Sequence, residues 1–166
     1  MHSQIVETSR QTVPIRDESD VYAAVGLVRM MTTEMGFGPS AQACAQTIIA
    51  ELARNALRHA GGGTAELKAL ERGAQRGLEI VVQDQGPGIA DLAWALDGAG
   101  GPSDTRSVPS KGAGLGVGLA SVQRLADEFT IDSAAESGTR VRALKDRKST
   151  RLNSSHTRLS RMPSSA

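Results

Sequence analysis

Glu51 and Asn55, in the run ELARNALRHA, stand four residues apart, so a helix would set them on one face. A carboxylate there can serve as a general base, and an Asn carbonyl can ligate Mg²⁺, a hard ion that seeks oxygen. An ordinary polar helix edge uses the same letters, so the pair alone leaves both readings open. Further on, LEIVVQD ends at Asp84 and runs into a loop holding Gly86 and Gly88. A carboxylate at a strand end can accept a hydrogen bond from an exocyclic amine such as that of adenine. The glycines would keep the loop clear of side chains, and a plain strand-terminating turn fits equally well. The third cluster is KGAGLGVGL, in which Gly112, Gly114, Gly116 and Gly118 alternate behind Lys111 and ahead of the helical pattern SVQRLADEF. Helix N-termini attract phosphate through unpaired N–H groups, and glycine lets the backbone approach a ligand closely. A phosphate cradle and a merely glycine-rich loop both remain open. The P-loop pattern fails because the lysine precedes the glycines, and the dinucleotide fingerprint fails at Val117 and Leu119.

These clusters need elements to hold them. Gln4–Ile15, β-branched and with a proline, predicts an edge strand or two. Asp17–Asp20 offer helix caps, and Val21, Ala24, Val25, Val28 and Met31–Met35 recur at helical spacing. After the breaker GFGPS, a second helix is predicted from Pro39 or Ser40 to about Ala60, ended by Gly61–Gly63. Its Ile48, Ile49, Leu52 and Ala56 should pack on a sheet. Thr64–Arg72 and Leu78–Asp84 read as strands, ADLAWAL as a short helix, and Asp97–Gly112 as a long loop. A helix to about Glu128 follows, and FTIDSAAESGTRVRAL closes as a hairpin turning around Glu136–Gly138. This order predicts an α/β fold, a two-layer sandwich with helices on one face of the sheet.

Bulk properties narrow the class. The 166 residues suffice for one domain with a core, and the single cysteine, Cys44, forbids an internal disulfide and is expected to pack as a small hydrophobe. No apolar run long enough to span a membrane and no signal-peptide core occur, so a cytoplasmic protein without membrane contact is expected. The overall charge of +1 conceals an asymmetry. Residues 146–166 carry five basic residues against one acidic, leaving residues 1–145 with 14 basic and 17 acidic, a net of −3. A mildly acidic body argues against a nucleic-acid surface. The stretch DRKSTRLNSSH resembles the translation of a common sequencing adapter. Residues 146–166 are therefore expected to be an artefactual or disordered tail, and 1–145 the domain.

E-x-x-x-N, then D-x-G-x-G, then G-x-G-x-G-x-G ahead of a helix, in this order, resembles the GHKL ATPase superfamily of gyrase, heat-shock-ninety chaperones, histidine kinases and MutL-type mismatch-repair ATPases. The resemblance covers nearly all of residues 4–145 and implies the Bergerat (histidine-kinase-like ATPase) fold, with a mixed sheet, and ATP and Mg²⁺ as cofactors. By that resemblance Glu51 is the catalytic base, Asn55 holds Mg²⁺ between the phosphates, and Asp84 binds the adenine amine. Gly86 and Gly88 shape the base pocket. The stretch Gly112, Gly114, Leu115, Gly116, Val117, Gly118 wraps the phosphates, with Lys111 beside it. Thr139, in SGTRV, supports the adenine contact, and the 97–112 loop is a lid; apart from the resemblance, Trp94 next to it is open to two readings, a partner contact or reporter and a core residue.

Within the superfamily, the wording ELARNALRHAGGGT, DQGPGI, GLGVGLASVQRLADEFTIDS and SGTRV is most similar to the short serine/threonine kinases of the RsbT type. The gyrase, chaperone and mismatch-repair branches carry further large domains, and neither His2 nor His59 has the setting of a histidine-kinase phosphoacceptor; His59 reads as a helix-end residue favoured by the dipole. The RsbT type implies transfer of phosphate to Ser or Thr of STAS-domain partners in the stressosome, with alternation onto a PP2C-type phosphatase. The related RsbW and SpoIIAB anti-sigma kinases imply the alternative, sequestration of a sigma factor. Relatives dimerise in some cases, which leaves a homodimer open.

Overall fold

The computed structural model describes residues 3–89, 115–134, 136–148 and 156–160. Among these, β1 (Val6–Ile15) leads into α1 (Glu18–Glu34) and α2 (Pro39–Ala60), then β2 (Gly63–Arg72) and β3 (Gln75–Gln83). The later elements are α3 (Leu115–Leu125), β4 (Glu128–Ala134), β5 (Gly138–Asp146) and β6 (His156–Ser160). The strands form one sheet in the order β1-β2-β3-β5-β4-β6. Strands β1 to β5 are antiparallel to their neighbours, and only β6 runs parallel to the strand it pairs with, β4. The sheet is thus mixed solely through a strand in the stretch that the sequence sets aside as a tail.

Strand alternation builds the core. Ala65, Leu67, Leu78, Ile80, Phe129, Ile131 and Ala143 are fully buried on the face the helices cover. The other face carries cross-strand ion pairs, among them Arg10–Glu66 at 3.3 Å, Lys68–Glu79 at 3.6 Å and Arg142–Glu79 at 2.6 Å. Against the covered face lie Val21, Ala24, Val28 and Met31 of α1 and Ile48, Ile49, Leu52 and Ala56 of α2, all buried. Helix α2 is central, packed between α1 and α3 and over β3 and β5.

Local chemistry fixes the helix ends. Asp17 caps α1 by accepting from the Asp20 N–H at 3.1 Å. Pro39 opens α2, and Gly61, left-handed at φ 71°, closes it as the N–H groups of Gly61 and Gly62 bond to Leu57 and Ala56. Two boundaries differ from the sequence reading. The segment from Gln4 is one ten-residue edge strand with a bulge between Glu7 and Ser9. Helix α3 stops at Leu125, short of Glu128, because the Asp127 N–H is drawn to Leu144 O at 2.8 Å and the chain joins the sheet. Cys44 is half-buried and free rather than fully packed. The short helix read at ADLAWAL, Trp94 and the 97–112 loop lie outside the described residues.

Candidate functional site

The site lies between α2, the N-terminal end of α3 and the ends of β3 and β5. Leu52, Ala56, Val82, Leu119 and Val141 give it an apolar lining, and Asn55, His59, Asp84 and Thr139 supply its polar groups. The hollow encloses about 460 Å³ of space between the atoms, its open mouth included.

One turn of α2 separates Glu51 from Asn55, and both face α3. A Cβ placed on Gly118 would stand 3.0 Å from a Glu51 carboxylate oxygen and 3.4 Å from both amide atoms of Asn55. Gly118 is therefore the surface against which both side chains rest, and a larger residue would displace them. Asn55 is 9% exposed, and among the described residues neither its amide oxygen nor its amide nitrogen has a hydrogen-bond partner. Burying an amide unpaired is costly, so this one is built to meet something the protein does not supply. Its oxygen is the kind of donor a hard cation takes, and a cation held by one protein oxygen completes its shell with phosphate and water. Among the described residues no group of three or more His, Cys, Asp or Glu could hold a metal, so Asn55 is the protein-side candidate.

Asp84 stands where β3 ends. Its Oδ1 accepts from the N–H of Gly86 at 3.0 Å and of Thr139 at 3.1 Å, while its own N–H donates to Thr139 O at 2.9 Å. Two donors on one oxygen lock the carboxylate, and neither of these bonds uses its second oxygen. The neighbouring glycines have steric reasons. A Cβ on Gly86 would come within 2.7 Å of Ala60 Cβ, and one on Gly88, at φ 78°, would strike the Ala134 carbonyl. Gly138, at φ 89°, lets β5 begin directly against the Asp84 carbonyl.

The structure thus brings together Glu51, Asn55, Asp84, Gly86, Gly88, Gly118 and Thr139. Leu115, Gly116 and Val117 fall in the first turn of α3, so the helix begins inside the glycine run and not after it. Lys111, Gly112 and Gly114 lie outside the described residues.

Two site groups escaped the sequence reading. His59 lines the hollow, and its Nε2 is buried without a partner. Burial and the Arg58 charge hold its pKa below the ordinary histidine value, against a smaller upward pull from Asp84. His59 does sit in the last turn of α2, as the sequence predicts, but a ring with a lowered pKa draws less from the helix dipole. The usable signal was its spacing, since Glu51, Asn55 and His59 follow one another at four-residue steps. Ser133 is the other: a polar residue on the inward face of β4, 5% exposed, bonded to the Ile89 N–H at 2.7 Å and to Thr139 Oγ1 at 3.0 Å. Its signal was a serine in the inward phase set by Phe129 and Ile131.

The model of the family described as histidine kinase-, DNA gyrase B-, and HSP90-like ATPase matches residues 41–149. The serine/threonine-protein kinase RsbT of Bacillus subtilis (strain 168) is 39% identical over 133 residues, covering 80% of this chain and 93% of that protein. The match and the identity together show that the chain belongs to the histidine kinase-, DNA gyrase B- and HSP90-like (GHKL) ATPase family, as an RsbT-like member.

Proposed function

We propose that this chain is a cytoplasmic serine/threonine protein kinase of bacterial stress signalling that phosphorylates a STAS-domain protein and alternates between that partner and a PP2C-type phosphatase. The kinase activity is supported by the likeness to RsbT and by the ATPase family. The STAS and phosphatase partners rest on the RsbT-type sequence resemblance. Among the described residues no helix is long and apolar enough to cross a membrane.

The observation that carries the mechanism is the unpaired, buried Asn55 amide set with Glu51 against Gly118. Glu51 takes the proton of the acceptor hydroxyl as its oxygen bonds to the γ-phosphorus of ATP, and the bond to the β-phosphate oxygen breaks to release ADP. Asn55 would hold Mg²⁺, which neutralises phosphate charge when bound. Asp84 accepts the exocyclic amine of the base, and Thr139 stands beside it. The backbone N–H groups opening α3 face the phosphates. Catalysis is then mainly positioning and charge stabilisation.

The test incubates the full chain with Mg²⁺, γ-labelled ATP and STAS-domain proteins encoded near its gene, with Asn55→Ala as control. Label on a STAS serine or threonine, lost in the variant, is expected. Full transfer by N55A would overturn the site assignment. Tight ATP binding with no label on any STAS protein would overturn the substrate assignment and favour sigma-factor sequestration.

A further inference from the structure

Thr139 lines the hollow, but its hydroxyl can either donate or accept, and the choice decides which base it suits. Ser133 settles the choice. Its Oγ already accepts the Ile89 N–H at 2.7 Å and lies 3.0 Å from Thr139 Oγ1. Only one of the two hydroxyls can donate to the other. If Thr139 donated to Ser133, the Ser133 proton would be left in a 5% exposed position, away from the hollow and with no acceptor among the described residues. If Ser133 donates to Thr139, the Ser133 hydroxyl is satisfied as both donor and acceptor, and the proton left over belongs to Thr139, a residue that lines the hollow.

We propose that Ser133 is a positioning residue for base selection: it holds Thr139 as a hydrogen-bond donor beside the Asp84 acceptor, and the pair selects adenine over guanine. This rests on the reading that the base sits against Asp84. Adenine presents an amine N–H next to the N1 acceptor, which matches an acceptor beside a donor. Guanine presents O6 next to N1–H, which places acceptor against acceptor and donor against donor. The relay is held in place from three sides. The Ile89 N–H fixes Ser133, the Thr139 N–H fixes Asp84 at 3.1 Å, and a Cβ on Gly88 would lie 3.2 Å from Ser133 Oγ, so the loop rests directly on the serine. The chain of donors runs Ile89 N–H, Ser133 O–H, Thr139 O–H, pocket. Ser133 touches no part of the nucleotide and acts only through Thr139.

The experiment measures binding of ATP, GTP and 1-deaza-ATP, in which N1 is replaced by a C–H, to the full chain and to Ser133→Ala, Thr139→Val and Asp84→Asn. In the unaltered chain 1-deaza-ATP should bind about tenfold more weakly than ATP, the worth of one well-placed hydrogen bond. S133A should weaken ATP about fivefold to tenfold and leave 1-deaza-ATP within about twofold, so that the preference for N1 and much of that for ATP over GTP disappear together. T139V should erase the same N1 preference, which keeps the test sound if S133A loses stability. Equal weakening of ATP and 1-deaza-ATP by S133A would overturn the proposal, because a merely structural serine would affect both alike. Equal binding of the two nucleotides by the unaltered chain would overturn it as well. If D84N bound ATP as well as the unaltered chain does, the base would not lie here, and the parent reading would fall with the proposal. Weakened ATP binding by D84N with equal losses in S133A would remove the proposal alone.

Discussion

Asp84→Asn separates the structural role of Asp84 from its ligand role, because the structure divides them between two oxygens. Oδ1 is engaged by the N–H groups of Gly86 at 3.0 Å and Thr139 at 3.1 Å. An asparagine keeps a carbonyl oxygen at that place, so both bonds persist, weakened because the acceptor is no longer charged. The loss to folding should be about 1 kcal/mol, seen as a small drop in the melting temperature without nucleotide. The amide NH₂ then takes the place of the second oxygen, and a donor faces the adenine amine. A charge-assisted hydrogen bond worth about 1.5–3 kcal/mol disappears and an unpaired donor replaces it, so ATP affinity should fall about 30-fold to 150-fold. The same donor suits a guanine O6, so GTP should lose less than ATP or gain. Titration calorimetry with each nucleotide, beside thermal unfolding of the ligand-free proteins, reads all three quantities. An ATP dissociation constant within about threefold of the unaltered value, in a protein that melts normally, would refute the reasoning that the free oxygen of Asp84 meets the base.

The other predictions probe separate features. Glu51→Gln keeps the shape against Gly118 but cannot take a proton; phosphoryl transfer should fall about 10²-fold to 10⁴-fold with ATP affinity changed less than about threefold, measured by single-turnover kinetics and binding. Gly138→Ala puts a Cβ into the Asp84 carbonyl at a φ of 89° and should destabilise the ligand-free chain by about 2–4 kcal/mol, whereas Gly61→Ala, at φ 71° with open space around it, should cost about 1 kcal/mol in the same denaturant melts. Because burial and Arg58 lower the His59 pKa from the ordinary histidine value, the unfolded chain takes up that proton first as pH falls. Its contribution to stability is therefore fully present above the unfolded value and lost as pH drops toward the folded one, and His59→Gln should flatten melting temperature against pH between about 7 and 5.

Sequence periodicity located most of what positions the site. Glu51 and Asn55 share a face because they are four apart, and the inward positions Ile48, Ile49, Leu52 and Ala56 orient that face at the border of the core. The strand ending at Asp84 and the hairpin turning before Gly138 were equally legible, since alternation and turn glycines are local signals. The boundary at α3 was not. Gly116 and Gly118 read as loop by propensity, and what overrides propensity is the close approach of α3 to Glu51 and Asn55, a tertiary fact.

The part of the site that stayed hidden depends on residues distant along the chain. The Ile89 N–H meets Ser133 across 44 positions, and the Thr139 N–H meets Asp84 across 55. No window of sequence contains either pair, so Ser133 shows only as a serine in an apolar phase, and Asp84 only as an acid before glycines. Yet these two long-range bonds convert a generic carboxylate and a generic hydroxyl into an acceptor and a donor of fixed direction. They join β3, β4 and β5 at the point where the hollow ends, which ties base selectivity to the closure of the sheet itself. The proposed chemistry at Glu51 and Asn55 needs α2 packed against Gly118 of α3. Recognition at Asp84 and Thr139 needs three strands and the 86–89 loop in register, so changes that loosen the β4–β5 hairpin should erode discrimination between bases before they erode phosphoryl transfer.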